Sequence, residues 1–306
     1  MNMTRYTLIA VAALLVAGPT WAQKSKGGGG STTTNPVLQS WMSPEVGDAW
    51  RAGYQGQGVT ITVVDDFNSG SRFYGNLNGS RLFYRHGEWT RLESSLIAPK
   101  ATMRAFDFKS TSSVPLATGL NVFNLSYGMM AAAGSGAVRW SSRESSIINY
   151  ATNGRAVIVK AAGNDYGTAV GQPNASGTKD YLNRDLIGTS SVIFVGALST
   201  NGTTGSPASM ASYSNIAGDN TTVQNQFLVV GVEGSKTGLY GTSFAAPIVS
   251  GYAAVVGSKF TSATPTQITN QLLSTARQDT ILNYNAAIHG KGEASLTRAL
   301  APVSIN

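Results

Sequence analysis

The residues best suited to chemistry begin with Ser243, which lies in the small-residue segment Gly241–Pro247 (GTSFAAP). The segment predicts the start of a buried helix over Ser243–Lys259. Small neighbours let a substrate main chain approach, and a helix start offers unpaired N–H groups to a developing negative charge. A serine hydroxyl needs a nearby base to act as a nucleophile. Since the chain contains only two histidines, His86 and His289, the candidate bases are few.

Short apolar runs predict the strands that would position such a site. The runs are rich in valine, isoleucine and phenylalanine and mostly do not alternate, which is typical of parallel strands buried on both faces. They are Val59–Val64, Met103–Phe108, Leu120–Leu125, Ala156–Ala161, Val192–Ala197 and Phe227–Gly231. Helical stretches lie between some of them, such as Glu144–Thr152 and the one that begins at Thr264-Pro265. We therefore expect an α/β fold with a mainly parallel central sheet and helices on both faces.

Polar residues follow two of these strands at the edge where parallel sheets bind ligands. Asp65 comes directly after the strand that ends at Val64, and Asn164 comes shortly after the one that ends at Ala161. A carboxylate at the end of an apolar strand is partly buried and needs a partner. His86 follows Asp65 by 21 residues and opens a predicted helix. Each of these residues also has a purely structural interpretation, as a turn residue or a helix cap.

The order of the candidates is informative. An aspartate, a histidine and a serine follow one another along the chain as they do in subtilisin. The segment Gly241–Pro247 resembles the Gly-Thr-Ser-x-Ala-x-Pro signature of the subtilisin-like serine proteases. Weaker resemblances are Gly58–Asp65 to the aspartate strand, Ala98–Ala101 to the segment after the histidine helix, Asn124–Gly128 to the border of the substrate cleft, and Ala161–Asn164 to the oxyanion segment. The resemblance spans about residues 36–303.

The resemblance implies a subtilisin-like three-layer fold and a serine endopeptidase that works through an acyl-enzyme without a cofactor. Asp65, His86 and Ser243 would be catalytic, and Asn164 would donate to the oxyanion. The implied substrate-binding residues are Leu125, Ser126, Tyr127 and Gly128, which would pair with an extended polypeptide, and Ala161, Ala162 and Gly163, which would line the first specificity pocket. The small, uncharged walls of that pocket predict an apolar or aromatic residue before the cut, and Asp165 would tolerate a basic one.

Two departures from the family pattern lie close to the candidate triad. Glu88 and Trp89 replace the usual threonine and second histidine, and a bulky side chain there is expected to alter the helix packing and tilt His86. Asp66 follows Asp65, and two adjacent buried carboxylates are expected to raise the pKa of one of them. Two alternatives therefore stay open. One is a non-catalytic binding or adhesion protein on a protease fold, and the other is an esterase-type serine hydrolase.

The segment His289–Val303 is similar to the close of the protease passenger domains of bacterial autotransporters. Those domains normally precede a membrane β-barrel, which this sequence is not expected to encode. His289 is expected to be a loop residue and not the catalytic base.

Composition and the first residues bound the cellular setting. Residues 1–22 resemble a secretory signal, so we expect export to the periplasm, the cell surface or the medium, with an uncleaved anchor as the alternative. Residues 23–35 form a flexible leader rich in glycine, serine and threonine, and residues 36–306 form one peptidase domain. We expect no stable membrane span once the signal is removed, and a monomer.

The remaining composition excludes several classes of function. The net charge of +7 is scattered along the chain, which argues against nucleic-acid binding. The chain has no cysteine and therefore no disulfide bond. Its two histidines and scattered acidic residues predict no metal site.

Overall fold

A parallel sheet forms the centre of the protein, which we describe from a computed structural model that covers residues 36–305. The strands are β1 (Val59–Asp65), β2 (Phe73–Gly75), β3 (Leu82–Tyr84), β4 (Thr102–Asp107), β5 (Leu120–Leu125), β6 (Met130–Ala132), β7 (Val157–Ala161), β8 (Thr178–Asp180), β9 (Val192–Leu198) and β10 (Phe227–Gly231). The central sheet has the strand order β10-β9-β7-β5-β1-β4, and all its neighbours are parallel. Two short antiparallel pairs, β2 with β3 and β6 with β8, lie outside it. The signal and leader predicted for residues 1–35 fall outside the described residues.

The central strands are buried on both faces because successive side chains point to opposite sides of the sheet. In β1, Ile61 and Val63 belong to the core on one side, and Val64 belongs to the core on the other side. In β9, likewise, Val195 belongs to the first of these cores and Phe194 to the second. This division explains why the sequence shows continuous apolar runs with little alternation.

Helices cover both faces of the sheet. They are α1 (Pro44–Arg51), α2 (His86–Ile97), α3 (Ser142–Thr152), α4 (Tyr181–Leu186), α5 (Thr221–Asn225), α6 (Gly234–Thr237), α7 (Thr242–Lys259), α8 (Pro265–Ser274), α9 (Ala286–His289) and α10 (Leu296–Leu300). On one side α7, α2 and α8 pack against the strands, and on the other side α3 packs against β7 and α4. The predicted α/β architecture, with a mainly parallel sheet between two helical layers, is confirmed.

Helix α7 is buried over nearly its whole length and circumference. A helix in that position needs no polar stripe, so its sequence is apolar on all sides. A Cβ on Gly251 would lie 2.6 Å from Cγ2 of Ile97, so glycine permits the close approach of α7 and α2. Within residues 36–305, no helix is both long enough and apolar enough to cross a membrane.

The sequence pattern does not indicate the shortest elements. The paired strands β2–β3 and β6–β8 have three residues each, which is too few to show an alternating pattern. Helix α1 carries a start signal that was available in the sequence. Ser43 is its N-cap, with Oγ accepting the N–H of Glu45 at 3.4 Å, and Pro44 is its first residue.

The expectation that His289 lies in a loop is wrong. His289 is the last residue of α9 and is only 3% exposed. Its Nδ1 lies 3.1 Å from both the nitrogen and the oxygen of the Asn285 main chain. A helix of one turn is too short to produce a periodic pattern, which is why the sequence did not show it. His289 does not line the pocket that contains His86.

Candidate active site

The candidate residues come together at one edge of the central sheet. Strands β1, β5 and β7 are neighbours and parallel, so their carboxyl ends meet at that edge. Helices α2 and α7 begin at the same edge. The N–H of Gly87 in α2 donates to the carbonyl of Asp66, next to β1, at 3.0 Å, and Ser243 in α7 contacts Ser126, next to β5. One pocket is lined by Asp65, His86, Phe108, Ser126, Tyr127, Gly128, Met130, Lys160, Ala161, Ala162, Gly163, Asn164, Asp165, Asp180, Asn215, Thr242 and Ser243.

The Asp65 carboxylate holds the His86 ring directly. Nδ1 of His86 lies 2.6 Å from Oδ1 of Asp65, which is only 1% exposed. Two further donors fix the carboxylate. The N–H of Asp66 donates to Oδ1 at 2.7 Å, and the hydroxyl of Thr90 donates to Oδ2 at 3.0 Å. With Nδ1 bound to the carboxylate, Nε2 is the nitrogen left to exchange a proton.

The charge of this carboxylate changes the proton affinity of His86. Burial by itself would lower the pKa of the imidazole, because a charged ring is poorly solvated inside the protein. The charge and hydrogen bond of Asp65, together with the charge of Asp66, outweigh burial and raise the pKa above its ordinary value. The imidazolium form of His86 is therefore stabilised. A general base needs this property, because it must hold a proton during the reaction.

The expectation that two adjacent carboxylates raise the pKa of one of them is wrong for Asp66. Burial tends to raise the pKa of Asp66, but its hydrogen bonds and the charge of Lys109 lower it below its ordinary value. Its Oδ1 accepts the N–H groups of Asn68 at 3.2 Å and Ser69 at 2.8 Å, and the Ser69 hydroxyl donates to Oδ2. The side chain binds its own loop, and these bonds stabilise the ionised form of Asp66 although Asp65 is its neighbour in the chain.

The expected tilt of His86 by Trp89 is also wrong. Trp89 is completely buried, and its Nε1 donates to the carbonyl of Phe73 at 3.2 Å. It packs on Tyr84 with 5.1 Å between ring centroids. A Cβ on Gly75 would lie 3.0 Å from Cζ2 of Trp89, so glycine makes room for the indole in the β2–β3 hairpin. The hairpin accommodates the large side chain, and His86 keeps its contact with the carboxylate.

Glu88 contributes to the start of α2. Its carboxylate accepts the main-chain N–H of Arg85 at 2.7 Å and forms an ion pair with the guanidinium of the same residue at 3.2 Å. An acidic residue in the first turn also interacts favourably with the helix dipole. The replacement of threonine by glutamate thus gives α2 a capping interaction at the turn that carries His86.

Ser243 and Ser126 are connected by two reciprocal hydrogen bonds. The Ser126 hydroxyl donates to the carbonyl of Ser243 at 2.9 Å, and the Ser243 hydroxyl donates to the carbonyl of Ser126 at 3.3 Å. The first bond is possible because Pro247, four residues later in α7, has no N–H to offer to that carbonyl. In this conformation, among the described residues, Ser243 Oγ makes no hydrogen bond to His86. A rotation about its Cα–Cβ bond would redirect it within the shared pocket.

Asn164 is held by the residue that precedes Ser243. Its Oδ1 accepts the N–H of Thr242 at 2.8 Å and the Thr242 hydroxyl at 3.1 Å, and that hydroxyl accepts the N–H of Gly163 at 3.1 Å. With Oδ1 occupied, the NH₂ group is the end of the amide that has no acceptor within residues 36–305. Gly241 has a φ of 121°, and a Cβ there would lie 3.2 Å from Nδ2, so glycine keeps the space around this donor open.

The predicted substrate segments lie around the same pocket, with one exception. Six of the seven predicted residues line it, in the segments 126–128 and 161–163. The side chain of Leu125 lies in the core behind the sheet instead, with no measurable exposure. Tyr127 packs on Phe108 with 6.3 Å between ring centroids. Lys160 and Asp180 also line the pocket. The sequence predicted uncharged walls, whereas the walls in the structure carry charged side chains.

Comparison with known families decides the classification. The model of the subtilase family matches residues 62–292 of the chain. The chain belongs to the subtilase family. It is a subtilisin-like serine endopeptidase, and its sheet and helices have the subtilisin-like arrangement. A search of the curated proteins finds no significant match.

Solved structures of similar fold are consistent with this membership. MycP1 from Mycobacterium smegmatis is 20% identical to this subtilase, with a TM-score of 0.55, and the match covers 88% of this chain and 86% of that one. The MycP3 protease of a type VII (ESX-3) secretion system is 20% identical, with a TM-score of 0.54 and coverage of 88% and 90%. A lanthipeptide protease is 17% identical, with a TM-score of 0.55 and coverage of 85% and 93%. At these identities the likeness concerns the fold.

Several residues of this subtilase site were not singled out from its sequence. Thr90 could have been predicted from the sequence, because it lies four residues after His86 and therefore on the same face of α2. Thr242 stands inside the serine segment, but its bond to Asn164 depends on how β7 and α7 meet. Lys160 and Asp180 come from separate strands, and no local pattern indicates that they touch. Among residues 36–305, no three histidine, cysteine, aspartate or glutamate side chains are grouped so as to hold a metal ion.

Proposed function

We propose that this subtilase is an exported endopeptidase that hydrolyses peptide bonds through a triad of Asp65, His86 and Ser243. The observation that carries the proposal is the 2.6 Å contact between Nδ1 of His86 and Oδ1 of Asp65 in the pocket that also holds Ser243. This is the geometry in which a carboxylate orients an imidazole and stabilises its protonated form.

The proposed reaction begins when Ser243 turns its hydroxyl from the Ser126 carbonyl towards Nε2 of His86. As Oγ attacks the peptide carbonyl carbon, His86 takes the hydroxyl proton and Asp65 stabilises the imidazolium. The C–N bond then breaks, and His86 gives its proton to the leaving amine. Water attacks the acyl-enzyme with the same base, which releases the carboxylic acid and restores Ser243.

Asn164 is the proposed donor to the tetrahedral oxyanion, together with the main-chain N–H of Ser243. The bonds from Thr242 to Oδ1 fix the amide before a substrate arrives. Such a donor needs no reorganisation when charge develops, which is the main source of this kind of stabilisation.

The segment Leu125–Gly128 is proposed to pair with an extended substrate main chain. In the described part of the chain, the main-chain groups of Tyr127 and Gly128 make no hydrogen bonds to other main-chain groups. Unpaired N–H and C=O groups beside a strand end can accept an added strand. Tyr127 packs on Phe108 and donates to Glu144 at 3.4 Å, which holds this segment against the domain.

A fluorophosphonate probe and a protein substrate test the proposed function together. The probe should label the wild-type protein at Ser243, and casein should be cleaved. An esterase-type hydrolase would label but cleave only a short-chain ester. A binding protein on a protease fold would be folded, but the probe would not label it and it would cleave neither casein nor the ester. Either of these two results would contradict the proposal.

Replacing Asn164 with alanine is expected to lower kcat for a peptide substrate by about 10²- to 10³-fold with little change in KM, because the lost bond forms mainly in the transition state. Steady-state kinetics on a p-nitroanilide peptide measure both constants. The matched control is Asn153→Ala, at the exposed end of α3, which should leave them unchanged. An unchanged kcat in Asn164→Ala would show that another group binds the oxyanion.

Export is proposed from the signal-like residues 1–22, and it predicts a defined mature start. Secretory signals are removed after small residues, so protein recovered outside the cytoplasm should begin at Gln23. Mass measurement of the intact protein checks this position. A full-length chain that begins at Met1 and stays with the membrane fraction would favour the uncleaved anchor instead.

A further inference from the structure

A buried ion pair forms part of the wall of the proposed substrate pocket. Lys160, in β7 directly before Ala161, is 1% exposed and forms an ion pair with Asp180 across the pocket wall, with 3.2 Å between Nζ and Oδ2. Both side chains line the same pocket as Ser243 and Asn164. Charged side chains are rarely placed in a protein interior without a partner or a role, because their desolvation is costly.

Each member of the pair has hydrogen-bonding capacity that the described residues leave unused. The Lys160 ammonium has three N–H groups, one of which donates to the Ala161 carbonyl at 2.8 Å while Asp180 lies beside it. In Asp180, Oδ1 accepts three main-chain N–H groups, from Met129, Leu182 and Asn183. Its Oδ2 faces only Lys160 among the described groups, so one ammonium N–H and one carboxylate lone pair stay open.

Gly128 brings the substrate side of the pocket close to this carboxylate. A Cβ on Gly128 would lie 3.0 Å from Oδ2 of Asp180, so a larger residue would crowd the pair. Gly128 is also part of the segment proposed to pair with the substrate main chain. The pair therefore lies beside the place where the substrate residue before the cut would enter.

We propose that Lys160 and Asp180 select the residue before the cut and that they favour glutamine. This inference rests on the proposed function of the same site. A primary amide has both an acceptor and a donor, so its oxygen can accept from Lys160 Nζ while its NH₂ donates to Asp180 Oδ2. A glutamate would bring a fourth carboxylate to a pocket that already contains those of Asp65, Asp165 and Asp180, and a lysine would meet the buried ammonium. A leucine would cover both charged groups and satisfy neither.

Asp165 is the remaining carboxylate of the pocket besides Asp65 and Asp180, and its charge alone would favour a basic residue. Its oxygens are already engaged, since Oδ1 accepts from Asn174 at 2.8 Å and Oδ2 accepts from Asn215 at 3.3 Å. The Asn215 amide oxygen in turn accepts the N–H of Asp165 at 2.7 Å. These bonds tie the carboxylate to Asn174 and Asn215, so we assign the selection to the Lys160–Asp180 pair.

The test uses four peptide p-nitroanilides that differ only in the residue before the cut: glutamine, glutamate, leucine and lysine. In the wild-type protein, kcat/KM for glutamine should exceed that for each of the others by about tenfold or more. Lys160→Met leaves Asp180 without its cation and should make lysine the best substrate. Asp180→Asn keeps the helix-capping oxygen, leaves the ammonium without its anion and should make glutamate the best. Asp165→Asn is the matched control and should keep glutamine first.

The outcomes separate this inference from the function on which it depends. If the leucine peptide is cleaved but lysine is the best wild-type substrate, or if the two pair variants keep the wild-type order, the selection by Lys160 and Asp180 is wrong and the peptidase activity stands. If no peptide is cleaved and the fluorophosphonate does not label Ser243, the proposed function fails and this inference fails with it. Should Lys160→Met not fold, Asp180→Asn decides alone, because asparagine is also a good N-cap.

Discussion

Replacing Ser243 with alanine is expected to lower kcat for a peptide substrate by about 10⁶-fold, as loss of the nucleophile does in subtilisin. The substitution removes the oxygen that would form the acyl bond. It should leave the fold intact, because the hydroxyl makes a single hydrogen bond of 3.3 Å to the described residues and alanine is a good helix residue at the start of α7. The activity that remains over the uncatalysed reaction would come from the oxyanion donors and from substrate binding.

The measurement is a full progress curve on a p-nitroanilide peptide at high enzyme concentration, with thermal unfolding as the check on folding. Ser258→Ala is the matched control, since Ser258 lies in the same helix and its hydroxyl donates to the Val255 carbonyl at 2.7 Å. It should retain wild-type kcat. A Ser243→Ala protein within tenfold of wild type would mean that another group attacks the substrate, and the proposed mechanism would be wrong.

The fold was predictable from the sequence because its strongest signals are local. A continuous apolar run such as Val59–Val64 must be covered on both faces, and runs of this kind separated by helices favour a parallel sheet. The observed strand β1, Val59–Asp65, differs from that prediction by one residue. The edge of the sheet follows from the same reasoning, so the sequence alone indicates that Asp65 and Asn164 lie near each other.

The details of the site depend on contacts between distant segments, and no local pattern specifies them. Lys160 stands inside an apolar strand, and its partner Asp180 follows twenty residues later as the N-cap of helix α4. Trp89 resembles a disruptive substitution in the sequence. In the structure it fits because Gly75, on a short strand, leaves space for the indole. Such compensation between positions needs the packed chain, since neither residue indicates the other.

The electrostatic expectation for Asp66 was wrong for a related reason. Adjacency in sequence suggested two carboxylates in one site, whereas successive side chains at a strand end point in different directions. Asp65 turns towards His86, and Asp66 turns into the loop that ends at Ser69. The direction of a side chain decided the sign of the pKa change, and composition alone does not give that direction.

Replacing Asp65 with asparagine is expected to lower kcat/KM at neutral pH by about 10⁴-fold. The asparagine oxygen can still accept the N–H of Asp66 and that of His86 Nδ1, while its NH₂ group faces the Thr90 hydroxyl, which can accept a hydrogen bond. The shape of the site and the orientation of the ring are therefore kept. The negative charge that stabilises the imidazolium and fixes the tautomer of the ring is lost, so the rate should drop although the geometry is kept.

The pH profile separates this effect from a structural one. Only the neutral His86 ring can take the serine proton, so wild-type kcat/KM should fall as the pH falls through the raised pKa of His86. Asp65→Asn removes the main charge that raises this pKa, so the acid limb should move to lower pH. Asp66→Asn is the control. Asp66 also raises the pKa of His86 but makes no hydrogen bond to it, so the limb should shift less and kcat should stay near wild type. An acid limb that stays in place in Asp65→Asn would show that His86 does not act as the base under the control of Asp65.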